Sequence, residues 1–338
     1  MILINKFKTI IAIIFSFTCS LLLTSIVYRF LVKIFKNTAI NGHGSNLCLK
    51  EGFLPLPVHF YSPIPDIEDL EKRKVWDVRS ELPGINFRIE EQKELLREIS
   101  LNYSDECHWP LFPTDNPSEF YLKNQSFSYG CAASTHCMIR HVKPSTIIEI
   151  GSGMSSRIIS SAIAINLAKD DVQSKYIIVD PYPTDFIKKQ SNLNITEIVE
   201  SRVELLNTSS FEQLKENDVL FIDSGHCVKI GGDVNYLFLE ILPRLAPGVI
   251  VHIHDINIPF EYPKVYATSE TFRQFWTEQY LLQSFLCFNY EFEVLMAMNY
   301  LMTEHLEYFK KILSHYNPDI HPFISSSFWI RRKIQHRR

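Results

Sequence analysis

The chain has 338 residues, of which 46% are hydrophobic, and a formal net charge of -4 at pH 7. This length allows one large domain with additions or two small ones, and the hydrophobic content is that of a globular protein. The slightly acidic balance predicts no nucleic-acid partner. Seven cysteines at irregular spacing, with no CxxC pair, argue against a disulfide framework and favour reduced thiols.

The N-terminal segment carries no charge from Thr9 to Tyr28 and is almost wholly apolar. A run of about 20 such residues is long enough to cross a bilayer as a helix. Basic residues flank the run, and no small-x-small cleavage site follows it, so an uncleaved anchor over residues 1–36 is favoured over a signal peptide. The sequence therefore predicts a single-pass membrane protein whose remaining chain lies on the cytoplasmic side.

Residues 37–127 combine a polar stretch with two proline-rich stretches, which exclude a regular helix or a central strand over much of this range. The segment from Glu90 to Ser100 is an exception, because its apolar residues recur with helical spacing. We interpret the range as a linker with an N-terminal helical extension. Ser128 then has the position of an N-cap for a helix that ends near His141.

Strand-like and helix-like segments alternate from Ser145 onwards, and amphipathic stretches run from Ser156 to Ala168 and from Thr271 to Phe288. The predicted strands are Thr146–Ile150, Tyr176–Val179, Ile195–Val199, Val219–Ile222, Val249–His252, Phe292–Ala297 and Phe328–Ile330. This alternation predicts an α/β fold with a doubly wound, Rossmann-like parallel sheet. Residues 333–338 form a short basic tail.

The first predicted strand runs directly into Gly151-Ser152-Gly153, and a helix follows. A strand, a glycine turn and a helix form the opening unit of a nucleotide-binding sheet, where the ligand meets the turn and the helix N-terminus. A dinucleotide fingerprint needs Gly or Ala at the position that Ser156 occupies, so the chain does not match it fully. Glu149, just before the turn, suits a ligand with a cationic amine better than one with a pyrophosphate.

Ligands of such sheets lie beyond the carboxyl ends of the strands, so the residues after each strand are candidate site residues. Strand two ends in Asp180 and Pro181. A carboxylate at this place can accept hydrogen bonds from two ribose hydroxyls. The alternative is that Asp180 only caps the next turn.

Strands four and five also end in titratable side chains, namely Asp223 and His226 after strand four and His254 and Asp255 after strand five. Carboxylate oxygens suit Mg²⁺, and added imidazole shifts the preference toward Mn²⁺, Fe²⁺ or Zn²⁺. His226 is a candidate general base, because imidazole titrates near neutral pH. His252 is expected to face the other side of the sheet as a packing residue.

The segments Glu149-x-Gly151-x-Gly153, Asp180, FIDSGH and HIHD occur in an order that resembles the class I S-adenosylmethionine-dependent methyltransferases. In particular, the chain is similar to bacterial small-molecule O-methyltransferases related to the macrocin and catechol types. The resemblance extends over roughly residues 121–332. Within this range it predicts a methyltransferase domain at residues 128–332. It implies methyl transfer to a hydroxyl of a small molecule or glycosyl acceptor, beneath a lid formed by residues 37–127 and the loop 258–263.

The resemblance also implies roles for individual residues. S-adenosylmethionine would be bound by Glu149, Gly151, Gly153 and Asp180, and the neighbouring Ser152, Ser156 and Pro181 are further candidates for cofactor binding. A divalent metal would be held by Asp223 and Asp255, and His226 would be the base. From its position after strand five His254 is a further candidate metal ligand, and Asp223 is also a candidate catalytic residue. Catechol-type enzymes carry Asp-Asn after strand five, whereas Ile256 follows Asp255 here, so the third metal ligand stays open.

Three alternatives remain at this level. A nicotinamide-dependent oxidoreductase would share the opening unit, but it leaves the FIDSGH and HIHD segments unexplained. A catalytically silent scaffold tethered to the membrane could keep the fold without the chemistry. A methyltransferase without a metal would use His226 as a lone base.

Overall fold

The structure is a computed structural model that describes residues 24–189, 193–313, 315–317 and 324–334. The contacts within the chain divide it into two units, Met1–Lys74 and Val75–Arg338. The helices in the described part of the first unit, residues 24–74, are α1 (residues 24–41), α2 (Ser45–Lys50) and α3 (Ile67–Lys72). The described part of this unit contains no buried hydrophobic side chain.

The predicted membrane helix falls mainly on residues 9–23, which lie outside the described residues, so this prediction stays untested. Within the part of the chain that the structure describes, no helix is both long enough and apolar enough to cross a bilayer. The predicted basic tail also falls mainly outside the described residues, which end at Ile334.

The second unit is built on one mixed sheet of seven strands in the order β3-β2-β1-β4-β5-β7-β6. The strands are β1 (Thr146–Ile150), β2 (Lys175–Val179), β3 (Glu197–Val199), β4 (Val219–Ile222), β5 (Ile250–Ile253), β6 (Phe292–Ala297) and β7 (Phe328–Arg332). All seven predicted strands are confirmed, with ends that shift by up to two residues. The predicted parallel pairing is confirmed for β1 to β5, and β7 joins the sheet antiparallel to both β5 and β6. A buried apolar run does not encode the direction of its strand.

Helices cover the sheet of the second unit. They are α4 (Ile89–Tyr103), α5 (Tyr129–Val142), α6 (Met154–Asp170), α7 (Asp185–Lys189), α8 (Asp233–Tyr236), α9 (Lys264–Thr268), α10 (Glu278–Leu286), α11 (Met298–Glu304) and α12 (Leu306–Ile312). The predicted N-cap of α5 is confirmed, since the Ser128 hydroxyl accepts from the backbone N–H of Cys131 at 3.4 Å. Because α4 packs against α5 and β6, residues 75–127 belong to the same unit as the sheet.

The helix predicted from Thr271 to Phe288 begins only at Glu278, so this prediction is wrong over its first two turns. The backbone N–H groups of Thr277 and Glu278 donate to the carbonyl oxygen of His226, at 2.9 and 3.1 Å. These N–H groups therefore bind the loop after β4, and the helix does not extend further toward the N-terminus.

Parallel pairing places the carboxyl ends of four strands at one edge of the sheet. Ile150 pairs with Val179 of β2 and with Ile222 of β4, and Ile222 pairs with Ile253 of β5. The loops that follow β1, β2, β4 and β5 therefore start side by side. Their strands are buried almost throughout, so the sheet gives these loops a rigid base.

The cysteines of the described residues are free thiols, as the sequence predicted. The Sγ atoms of Cys107 and Cys137 come within 3.8 Å of each other without forming a disulfide. Cys131, which the sequence did not single out, is buried and accepts from the backbone N–H of Ser326 at 3.2 Å.

Candidate active site

The turn after β1 is held between the ends of its two neighbouring strands. The N–H of Gly151 donates to the carbonyl of Val179 at 2.9 Å, and the N–H of Asp223 donates to the carbonyl of Ile150 at 2.9 Å. Gly151 has a φ of 83°, and a Cβ there would lie 2.0 Å from the carbonyl oxygen of Asp223. Only glycine fits this position, because both the backbone conformation and the available space exclude a side chain.

Gly153 differs from Gly151, because the space beside it is open. Its φ of 167° is an extended conformation, and a Cβ built on it meets no atom within 4 Å. The N–H of Gly153 donates to the hydroxyl oxygen of Ser156 at 3.0 Å. The protein itself therefore does not require glycine at position 153, whereas a ligand at the start of α6 would.

Glu149 lies beneath the turn and is completely buried. Its carboxylate accepts from the hydroxyls of Ser155 and Ser156, at 2.7 and 2.8 Å, and from the hydroxyl of Tyr176. Ser156 thus connects Glu149 to the N–H of Gly153. In this geometry Glu149 and Ser156 shape the turn from below, and direct contact between either side chain and a cofactor stays a prediction.

Replacing Glu149 by glutamine is expected to remove a pH-dependent loss of stability. Burial raises the pKa of Glu149 from 4.5 to about 7, although the hydroxyl donors act in the opposite direction. Between these values the unfolded chain has lost the proton and the folded chain has kept it. The free energy of unfolding of the wild type should therefore fall as pH rises through this window, by about 3 kcal/mol in all.

The measurement is chemical denaturation of both proteins from about pH 5 to about pH 8. The stability of Glu149→Gln relative to the wild type should rise with pH and level off above the folded-state pKa. A difference that stays constant over the range would contradict the assignment of the proton to Glu149.

Asp180 directly follows β2 and contacts the turn after β1. One carboxylate oxygen accepts from the N–H of Tyr182 at 2.7 Å, and the other accepts from the hydroxyl of Ser152 at 2.5 Å. The first bond is the turn cap that the alternative interpretation expected. The second joins the loops after β1 and β2, and Pro181 beside it is exposed. Ser152 and Asp180 are both half-buried, so a ligand hydroxyl can replace the hydroxyl of Ser152 as the hydrogen-bond donor to Asp180.

The loops after β4 and β5 bring together Asp223, His226 and Asp255. The Nε2 atom of His226 is 3.4 Å from Asp223 and 3.5 Å from Asp255, and one ligand atom from each residue lies within 4.8 Å of the others. Both His226 and Asp255 have a φ of 56°, in the left-handed region that residues other than glycine seldom adopt. The expected cluster at this edge is therefore present in the structure.

Glu278, at the start of α10, completes this cluster and was missed by the sequence analysis. Its carboxylate lies 2.8 Å from Nδ1 of His226, and its side chain is only 1% exposed. Burial alone would lower the pKa of His226, but the hydrogen bonds and charges of Asp223 and Glu278 raise it to about 10. Glu278 is 52 residues away from His226 and carries no motif, so no sequence signal indicated the contact.

His254 lies behind the cluster and contacts the same two aspartates. Its Nδ1 atom is 3.5 Å from one oxygen of Asp223 and of Asp255, and its ring stacks on Phe127. The expectation that His252 faces the opposite side is wrong, since its ring lies 5.8 Å from that of His254. Residues two apart in a strand share a face. The packing role holds, because His252 is buried against Phe221.

A cavity of about 340 Å³ opens beside His254 and Asp255. Its walls include Phe127 and Ser128 at the start of α5 and Tyr266 on α9. The segments expected to form a lid, residues 37–127 and 258–263, thus contribute residues 125–127 and Pro263 to this cavity. A cavity of similar size, about 320 Å³, lies among α4, α5 and β6, away from the titratable cluster.

Part of the chain matches a known domain family. Residues 148–256 match a family model for a methyltransferase domain, a range that contains the glycine turn and the aspartates of the cluster. An uncharacterised protein of Archaeoglobus fulgidus is 33% identical over 202 residues, which cover 58% of this chain and 89% of that protein.

Solved structures that resemble the chain are more distant. A putative methyltransferase from Thermobifida fusca has 13% identity and a TM-score of 0.37, covering 75% of this chain and 97% of that one. A putative protein-L-isoaspartate O-methyltransferase from Plasmodium falciparum, in complex with S-adenosyl-L-homocysteine, has 12% identity and a TM-score of 0.27, covering 56% and 81%. These scores are too low to support a conclusion. The matched range supports a methyltransferase domain that includes the glycine turn and the aspartates of the cluster.

Proposed function

We propose that the chain transfers a methyl group from S-adenosylmethionine to a hydroxyl oxygen of a small molecule or glycosyl acceptor, with the help of a divalent metal. The observation that carries the proposal is the convergence of Asp223, His226 and Asp255 at one sheet edge, next to the glycine turn. An acidic cluster at this place suits the activation of an oxygen nucleophile, which must lose its proton to react.

The residues around the glycine turn fit the cofactor. When bound, it supplies a methyl group on a sulfonium centre. The open space beside Gly153 gives room for the ligand at the N-terminus of α6. Asp180 can exchange its bond to Ser152 for ribose hydroxyls while keeping the N–H of Tyr182. Glu149 and Ser156 hold the turn in place and so position the ligand indirectly.

The cluster also fits a divalent metal. Two carboxylates and one imidazole are a donor set for Mg²⁺, Mn²⁺ or Fe²⁺. A metal-binding histidine commonly donates its other ring N–H to a carboxylate, and Glu278 is that carboxylate for His226. When bound, the metal would lower the pKa of the acceptor hydroxyl. The side chain of Ile256 is buried and offers no ligand atom. We therefore assign the third ligand, which the sequence left open, to His226. His254 would contact Asp223 from outside the set of metal ligands.

His226 fits the role of ligand better than that of a lone base. Its Nε2 atom faces two carboxylates, and without a cation it must carry a proton to bridge them. The raised pKa then leaves His226 unable to accept a proton at neutral pH. Glu278 is a positioning residue, because it fixes the ring of His226 and its tautomer.

The cavity beside Asp255 is the proposed acceptor site. Its volume lies in the range of small-molecule sites, and it offers polar side chains such as Gln125 and Asn257 together with the rings of Phe127 and Tyr266. Hydroxyl-bearing rings, including those of sugars, match this combination of hydrogen-bonding groups and aromatic faces. The chain aligns this hydroxyl with the methyl group, and alignment can supply about 7 kcal/mol or more of barrier lowering.

The decisive experiment is a calorimetric titration of the full chain, in mild detergent, with S-adenosylhomocysteine and with NADH. We expect S-adenosylhomocysteine to bind and NADH not to bind. Electron paramagnetic resonance with Mn²⁺ tests the metal separately, and one tightly held ion per chain is expected. Binding of NADH alone would overturn the proposal, and binding of neither ligand would favour a silent scaffold. Cofactor binding without Mn²⁺ binding would overturn the metal only.

A further inference from the structure

The first unit presents a large apolar surface without a core beneath it. Half of the large hydrophobic side chains that are exposed in the described part of the chain lie between residues 26 and 61. Phe60 and Tyr61 are the clearest cases, with 81% and 87% of their surface exposed. The buried hydrophobic side chains of the described residues all come after residue 81. A surface of this kind needs a partner that covers it.

Two segments contribute to one continuous surface. The first is the part of α1 that follows the predicted span, where Phe30, Val32 and Phe35 are examples of exposed apolar side chains. The second comprises residues 53–61, which follow α2 without regular structure. Phe53 packs edge-on against Phe35 of α1, with ring centroids 5.9 Å apart, so the second segment lies against the first. We call these two segments together the apolar surface.

Charge indicates which partner covers this surface. Between residues 24 and 61 the chain has four basic residues and one acidic residue, although the whole chain is net negative. Arg29, Lys33 and Lys36 are spaced by four and three residues, which places them on one face of α1. A second copy of the chain would bring like charges together, whereas an anionic lipid surface would attract all three.

We propose that the apolar surface lies in the headgroup region of an anionic bilayer, with the basic face of α1 toward lipid phosphates. Aromatic side chains such as Phe60 and Tyr61 favour this region, and amphipathic helices with basic faces bind there. The contact is separate from the predicted span before residue 29, and it does not depend on the proposed methyl transfer. It would hold the chain close to the membrane beyond the anchor itself.

The test is amide hydrogen exchange on the full chain, reconstituted in nanodiscs of phosphatidylcholine alone or with about one third phosphatidylglycerol. The amides of residues 53–61 should exchange at least tenfold more slowly in the anionic discs, because this segment has no regular structure to protect them. The variant Arg29→Gln/Lys33→Gln/Lys36→Gln should lose most of this protection. Removing three positive charges should weaken the equilibrium constant for docking on the anionic bilayer on the order of 100-fold.

The matched control removes the same charge elsewhere, as Lys189→Gln/Lys215→Gln/Lys311→Gln, from exposed positions of the second unit. It should keep the protection of the wild type. Phe60→Ser/Tyr61→Ser should lower protection in the anionic discs. Equal exchange in both kinds of disc would overturn the proposal. Protection that ignores lipid charge and rises with the number of chains per disc would overturn it in favour of a second copy.

Discussion

Replacing Asp255 by asparagine is expected to lower kcat/KM for methyl transfer by about a thousandfold, which corresponds to about 4 kcal/mol of lost transition-state stabilisation. The amide that replaces the carboxylate carries no charge and is a poor metal ligand. It can still accept from the hydroxyl of Ser326, which lies 3.0 Å from Asp255. Asparagine also tolerates the φ of 56° at this position, so the fold should survive.

Asp171→Asn is the matched control. Asp171 has the same φ of 56°, but it is exposed at the end of α6, on the opposite edge of the sheet. Its replacement should leave activity unchanged. Cofactor affinity should stay within about twofold in both variants, because the residues proposed to bind the cofactor follow β1 and β2. Loss of cofactor binding in Asp255→Asn, or full activity with normal binding, would contradict the role of this aspartate.

The second large effect concerns the two glycines of the turn, which should respond in opposite ways to alanine. Gly153→Ala should weaken S-adenosylhomocysteine binding by about 100-fold, because the new methyl group occupies the open space beside the turn. Its melting temperature should change little, since an extended backbone accepts alanine and no protein atom is in the way.

Gly151→Ala should instead destabilise the protein by about 3 kcal/mol or more. Its Cβ would collide with the backbone of Asp223, and its φ of 83° disfavours any side chain. Calorimetric titration and thermal unfolding of both variants separate the two effects. A stable Gly153→Ala protein with unchanged affinity would show that the ligand does not approach this glycine.

The sequence predicted the α/β class, the seven strands and the residues after each strand, because these depend on local patterns. Buried parallel strands are continuous apolar runs, and a turn between closely packed strands needs glycine. Parallel pairing brings the carboxyl ends of β4 and β5 together, so the sequence alone predicted that Asp223 and Asp255 lie near each other. The methyltransferase class also rested on such local segments.

The direction of β7, the late start of α10 and the contact of Glu278 with His226 depended on the tertiary structure. Each is decided by residues far apart in the chain, which compete for the same backbone groups or charges. The N–H groups of Thr277 and Glu278 bond to the carbonyl of His226, and no local pattern encodes that choice. The burial of Glu149 and the open space beside Gly153 likewise depend on the tertiary structure. Local patterns thus determined which residues reach the sheet edge, and packing between distant segments decided how each can act there.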